Sequence, residues 1–325
     1  MTRPPIGQTN GTALYNQTVR SLYISDDVRS SGQVSPEVIA EAVTFLHRDG
    51  IVVLENAIDP DHLNSLAAIL RPEAEEIARD PDHHFNWNKG NMDQAPPLKV
   101  DVMFDDIWAN PVATAILSAI LGPNPTCHYD NGNTALKTDE RQPVHSDIDK
   151  PHPLYPFAYA INIPLCDVSI ENGSTEIWVG SHCDRNIDQH ATVGPGQYSL
   201  TIKHHLLAER RKHSPPIQPR TKKGSVILRD LRLWHAGMPN RTEEPRIVLA
   251  FVVQPGWFLA PSKVSLPVAA KGLVERWEEE TGLRFAADWI DGEVDHKKVN
   301  SKDVDFTTSN IRLLELEDAM HKPAH

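Results

Sequence analysis

Apolar residues recur at helical spacing through much of the first 122 residues and at strand spacing from about residue 126 onward. Ser35-Pro36-Glu37-Val38 has the form of a helix start, with a capping hydroxyl, a proline in the first turn and an acid close behind. That helix is predicted to run to about His47, after which Asp49-Gly50 turns the chain into the apolar strand Ile51-Val52-Val53-Leu54. Asp59-Pro60-Asp61-His62 opens a second helix reaching about Arg79, and Pro111 to Leu121 forms a third, ended by Gly122. Between them, residues 80–100 are rich in His, Asn and Pro and read as a loop at the mouth of a site. From about 126 to 257 short apolar runs alternate with Pro and Gly, the pattern of an all-β barrel or jelly roll. Within it, Ile187 to Pro219 is a long polar insertion expected to act as a lid. The tail from 270 to 325 regains helical character at Leu273-Val274-Glu275-Arg276-Trp277, and is expected to cover the barrel or form a homodimer contact. Residues 1–35 read as a polar arm, leaving 36–325 as one mainly β domain with flanking helices.

Composition narrows the function classes. The chain has 325 residues, 40% of them hydrophobic, and a net charge of −12, which argues against nucleic-acid and anionic-membrane partners and leaves a small molecule as the expected ligand. Mean hydropathy is −0.40, consistent with a buried core in a soluble protein. Cys127, Cys166 and Cys183 have neither C-x-x-C spacing nor an even count, so a reduced, cytoplasmic setting is expected. No apolar run has the length of a membrane span, and the first ten residues lack the apolar stretch of a signal peptide.

The candidate chemistry lies in Gln142-Pro-Val-His145-Ser-Asp147 and, much later, Trp234-His235 and Pro245-Arg246. In extended chain, residues i and i+2 point the same way, so His145 and Asp147 can grip one ion. His235, from a distant strand, supplies the third direction of a two-histidine, one-carboxylate site for Fe(II) that leaves positions open for a co-substrate and O2. Arg246 is the only charge in the strand-like run Arg246 to Val253. A guanidinium there needs an anion: either the distal carboxylate of a small diacid against the metal, or Glu243 or Glu244 at the strand mouth.

These stretches, together with Ala42 to Leu54 and Glu171-Asn-Gly-Ser-Thr175 through Gly180-Ser-His182, resemble the phytanoyl-CoA dioxygenase family of Fe(II)- and 2-oxoglutarate-dependent oxygenases, and in particular its branch in fungal natural-product pathways. The resemblance spans residues 42 to about 257 and departs from the usual Pro-Gly-Ser-His at Val179. It implies a double-stranded β-helix (jelly-roll, cupin-like) core, and His145, Asp147 and His235 as metal ligands. It also implies Arg246 as the 2-oxoglutarate arginine, with Gln142 and Thr175 as further co-substrate contacts. Related halogenases lack the carboxylate ligand, so Asp147 implies hydroxylation, desaturation or rearrangement instead. The substrate expected from the resemblance is an apolar terpenoid, meroterpenoid or alkaloid. The alternatives are an acyl-CoA 2-hydroxylase, using the basic residues between Lys203 and Lys223 for the CoA phosphates, and a non-catalytic partner subunit.

Other residues are assigned blander roles. His83-His84 and His204-His205 are expected to be solvated surface, His152 an outer or surface group, and His182 a structural hydrogen-bonding group. Met103, Phe104 and Trp234 read as core, while Tyr129, Asn131 and Asn133 are divided between core and site.

Overall fold

The computed structural model describes residues 18–148, 157–183, 189–194, 197–299 and 304–306. Its strands are β1 (Ser21–Tyr23), β2 (Ile51–Glu55), β3 (Asn91–Asp93), β4 (Thr126–Ala135), β5 (Tyr159–Pro164), β6 (Glu176–Ile177), β7 (His190–Gly194), β8 (Gln197–Ile202), β9 (Val226–Asp230), β10 (His235–Ala236), β11 (Arg246–Gln254), β12 (Val264–Pro267), β13 (Arg284–Phe285) and β14 (Ala287–Ile290). Its α-helices are α1 (Asp26–Ser31), α2 (Pro36–Asp49), α3 (Pro60–Ile77), α4 (Asp105–Trp108), α5 (Pro111–Leu121), α6 (His204–His213) and α7 (Lys271–Thr281).

The helix signals work locally as written. The Ser35 hydroxyl accepts from Val38 N–H at the start of α2, and Gly50 closes that helix at φ 76°, a conformation glycine takes without a Cβ penalty. Asp59 caps α3 and Asn110 caps α5.

A mixed sheet of eight strands organises the molecule, in the order β1-β2-β9-β5-β11-β4-β13 with β3 on β4. Successive side chains on a strand face opposite ways, and β11 shows what that does here. Ile247, Leu249, Phe251 and Val253 enter the main hydrophobic core with Leu46 of α2, Leu66 of α3, Ile116 of α5 and Trp277 of α7. Arg246, Val248, Ala250 and Val252 line a cavity instead. On the neighbouring strands Ala160, Asn162, Ile227, Arg229, Ile51 and Val53 also line it. Each fully buried Leu or Phe on the helix side contributes about 1.5–3 kcal/mol, so this side anchors the sheet while the other is left for chemistry.

A second, smaller set of paired segments closes the cavity's far wall. His145 and His235 form an antiparallel bridge, β10 pairs with β6, Thr201 bridges His145, and Ile177 bridges Ile217.

Several boundaries differ from the sequence reading. Within the expected arm, β1 adds as a parallel edge strand to β2. The sheet draws β1 and β2 from outside the expected 126–257 core. The described residues of the 187–219 segment, expected as a polar lid insertion, form the hairpin β7–β8 and helix α6, and Ser146 N–H donates to Leu200 O while Ile202 N–H donates to Val144 O. Its polar composition reflects one exposed face rather than missing structure. The tail holds α7 but then turns into β13 and β14, and its end from residue 307, like His152, lies outside the described residues. Among the described residues no helix is long and apolar enough to cross a membrane.

The core holds one costly group. Asp130, opposite Phe251 on β4, is buried, and its Oδ2 has no hydrogen-bond partner. Burial raises its carboxyl well above the ordinary range. A folded-state pKa raised in this way gives stability that is full below the unfolded pKa and lost as pH climbs through the folded one. Asp130→Asn, which cannot ionise, is therefore expected to melt above the wild type at pH 8, with the gap closing toward pH 4 in thermal denaturation series.

Candidate metal centre

The 142–148 segment runs antiparallel to β10, and His145 and His235 exchange both backbone hydrogen bonds, each 2.9 Å. In such a pair the two side chains leave the same face, and the ring centroids stand 4.3 Å apart. Asp147, two residues on, emerges on that face as well. Its Oδ1 lies 3.8 Å from His145 Nε2 and 3.4 Å from His235 Nε2. One ligand atom from each of the three falls within 4.8 Å of the others, close enough to share one ion.

The tautomers are set by the backbone. His145 Nδ1 sits 2.9 Å from Pro143 O, and His235 Nδ1 sits 3.0 Å from Leu233 O and 3.4 Å from Arg229 Nη1; the two backbone carbonyls favour Nδ1–H on each ring, which leaves Nε2 for the site. Burial, reinforced by the neighbouring His235 ring, drives the His145 pKa down to about 3, which keeps this imidazole neutral.

Arg229, outside the sequence motifs, stands beside the triad on the cavity wall. Its Nη2 donates to Asp147 Oδ2 at 2.6 Å, leaving Oδ1 turned toward the two rings. Burial alone would raise the Asp147 carboxyl, but the Arg229 guanidinium and the His235 ring outweigh it and hold the group well below the usual range. The clue was present in the sequence: Arg229 ends the apolar run Val226-Ile-Leu, and its period-2 phase puts it on the cavity face beside Ile227. The turn that follows is locked by Arg232, whose backbone N–H and Nε donate to Asp230 Oδ1 at 2.9 Å and whose Nη2 donates to Oδ2 at 2.6 Å. Leu231 O in that turn accepts from Asp147 N–H at 3.0 Å.

Arg246 stands on the same cavity, 4% exposed, and no acidic partner for it exists among the described residues. The alternative pairing with Glu243 or Glu244 is therefore not the one adopted; Glu243 pairs with Lys137. Arg246 Nε donates to Asn172 O at 3.2 Å, and burial lowers its pKa to about 10. A buried guanidinium without an acidic partner is costly, and an anion in the cavity would offset that cost.

Thr175 lines the cavity. Gln142 lines it too, but its side chain is occupied: Oε1 accepts from Gly237 N–H at 2.7 Å and Nε2 donates to Asn86 O at 3.3 Å. Tyr129 and Asn133 face the cavity, whereas Met103 and Trp234 are core and Phe104 stacks on His62. His182 sits 3.1 Å from His47 O in a structural hydrogen bond, and His204 and His205 are exposed, on α6 rather than on a loop. His83 and His84 are not simply solvated, because both engage Asp93 and His84 reaches the cavity.

The cavity measures about 850 Å³, room for a co-substrate and a sizeable organic molecule together. Its donor set suits Fe(II): two imidazoles and a carboxylate held within reach of one another, with a buried guanidinium further along the wall.

A family model described as phytanoyl-CoA dioxygenase (PhyH) matches residues 46–248, well over half of the chain. The chain belongs to that family, and it is a non-haem iron, 2-oxoglutarate-dependent dioxygenase. Among solved structures it is similar in fold to the epimerase SnoN in complex with Fe3+, alpha-ketoglutarate and nogalamycin RO. That match has a TM-score of 0.51 and 17% identity over 68% of this chain and 84% of SnoN. EctD from S. alaskensis, solved with 2-oxoglutarate and 5-hydroxyectoine, matches at TM-score 0.49 and 20% identity over 71% of this chain and 78% of EctD.

The turn that orients Arg246 depends on Gly173, which has φ 82° and whose added Cβ would lie 2.6 Å from Met238 O. Gly173→Ala is expected to cost about 2 kcal/mol and lower Tm by about 5 °C. An unchanged melting curve would contradict the tight packing of this turn.

Proposed function

We propose that His145, Asp147 and His235 hold Fe(II), that Arg246 binds the distal carboxylate of 2-oxoglutarate, and that the enzyme oxidises an apolar, ring-containing natural product such as a terpenoid, meroterpenoid or alkaloid. The observation that carries this reading is one cavity lined by the triad and by a buried, unpaired Arg246. In the same reading, the eight-stranded sheet and the smaller wall opposite are the two faces of a jelly roll.

Bound iron and co-substrate supply the redox chemistry: 2-oxoglutarate and O2 become succinate and CO2, with the second oxygen atom going to an R–H bond in hydroxylation. The chain supplies position and environment. Arg229 keeps Asp147 ionised and its Oδ1 turned inward. The carbonyls of Pro143 and Leu233 hold both ring nitrogens in register. Thr175 and Asn133 offer polar contacts along the cavity for the co-substrate. Gln142 acts at one remove, by fixing Gly237 beside β10. Near Asp147 the wall turns apolar, with Ile148, Phe157, Val252 and Phe306 suited to a hydrocarbon framework.

The acyl-CoA alternative needs cations free to grip phosphates. Between residues 203 and 223, Lys212 pairs with Glu209, Arg220 with Glu171 and Lys222 with Asp167. Arg210 donates to Val179 O, and Arg211 lies over the Trp178 ring. The ion-paired cations among them sit in exposed local contacts, whereas the cavity wall near Asp147 is apolar, and that wall supports the natural-product reading.

Uncoupled succinate formation from 2-oxoglutarate tests the proposal. The wild type is expected to form succinate when Fe(II) and O2 are supplied, His235→Ala to form none, and Arg246→Leu to need on the order of a hundredfold more 2-oxoglutarate, the scale of a lost charged contact. Equal succinate formation by wild type and His235→Ala would sink the assignment. Replacing Arg229 by Met is expected to weaken Fe(II) binding about tenfold or more in a chelator competition; unchanged affinity would remove Arg229 from the metal site.

A further inference from the structure

Trp87 lines the cavity with its ring centroid 5.4 Å from that of His145, yet the residue is 46% exposed. Its backbone has φ 72°, in the left-handed region that bulky residues avoid. The residues on either side impose this conformation. Asn86 N–H donates to Asn91 O at 2.7 Å, its side chain donates to Asp93 Oδ1 at 2.6 Å, and its carbonyl accepts from Gln142 at 3.3 Å. On the other side, Asn88 Oδ1 accepts from Gly90 N–H at 2.9 Å and from the Asn91 amide at 3.2 Å. Folding stability does not account for a half-exposed indole in a strained backbone, where glycine would be cheaper. Strain that the surroundings over-determine, beside a reactive centre, marks a functional position.

We infer that Trp87 is a specificity-determining residue: a platform at the cavity mouth on which a flat, unsaturated ring of the organic substrate stacks as it enters beside His145. Stacking of ring on ring rewards planar partners beyond what buried area provides. It discriminates against saturated skeletons and flexible acyl chains of the same size. This assignment rests on the oxygenase reading only in calling the ligand a substrate, because ring recognition itself needs no metal.

The test uses metal-free full-length protein and two neutral probes of one skeleton, 2-naphthol and decahydro-2-naphthol, with affinities from calorimetric titration. Wild type is expected to prefer the planar probe by roughly fivefold or more. Trp87→Phe should keep part of the preference, and Trp87→Ala should lose it. Trp87→Gly, which takes φ 72° freely and so preserves the path of the loop, should lose it as well. A wild type that binds both probes equally, or binds neither, overturns the proposal. So does a preference that survives in both Trp87→Ala and Trp87→Gly. Succinate formation by the wild type is measured separately, so failure of the oxygenase reading appears there and leaves the naphthol result standing.

Discussion

The backbone bridge between His145 and His235 is the constraint on which the rest of the site depends. Two reciprocal hydrogen bonds fix the register of the two segments, and register decides which face each side chain takes. A slip of one residue would send either imidazole away from the cavity, and with it the ring nitrogen turned toward Asp147. The surrounding structure defends this register from several directions. Pro143 and Leu233 carbonyls hold the rings, Arg229 holds Asp147, and the Asp230–Arg232 ion pair holds the turn that leads from Arg229 to His235. Removing one partner from such a buried network leaves the other uncompensated, which is why these groups act as a unit.

The eight-stranded sheet divides labour between its two sides. Its helix-facing residues form a continuous apolar core, and that rigidity permits the cavity side to carry charges and amides that would be a liability in a core. β11 does both at once: Phe251 packs against Trp108 while Arg246 and Val248 face the cavity. A buried guanidinium without an acidic partner is tolerable on β11 because the strand is anchored from behind, and in the proposed function that charge would bind a dianionic co-substrate.

Much of this was legible in the chain. His145, Asp147 and His235 come within reach of one ion and Arg246 lines the same cavity, and Ser35 and Asp59 cap helices at the starts the sequence predicts. What was hidden is non-local. The placement of β2 in the sheet depends on its pairing with β9 across more than a hundred residues, and β1 joins only through β2; local periodicity has no signal for either. The polar run around α6 looked like a loop because half its residues face water, although β8 is hydrogen-bonded beside the first histidine. Arg229 was overlooked because a single charge at the end of a strand is unremarkable until Asp147 arrives 2.6 Å away. Gln142, expected as a co-substrate contact, lines the cavity with its amide hydrogen-bonded to Gly237 and Asn86, partners that only the fold reveals.

The central claim is that the triad and Arg246 form one chelation site for Fe(II) and 2-oxoglutarate. The most direct measurement is the visible spectrum of the protein under argon as Fe(II) and then 2-oxoglutarate are added, with His235→Ala alongside. The account predicts a charge-transfer band that requires both additions and is absent from the variant. A folded, iron-loaded wild type that shows no band with 2-oxoglutarate would contradict it.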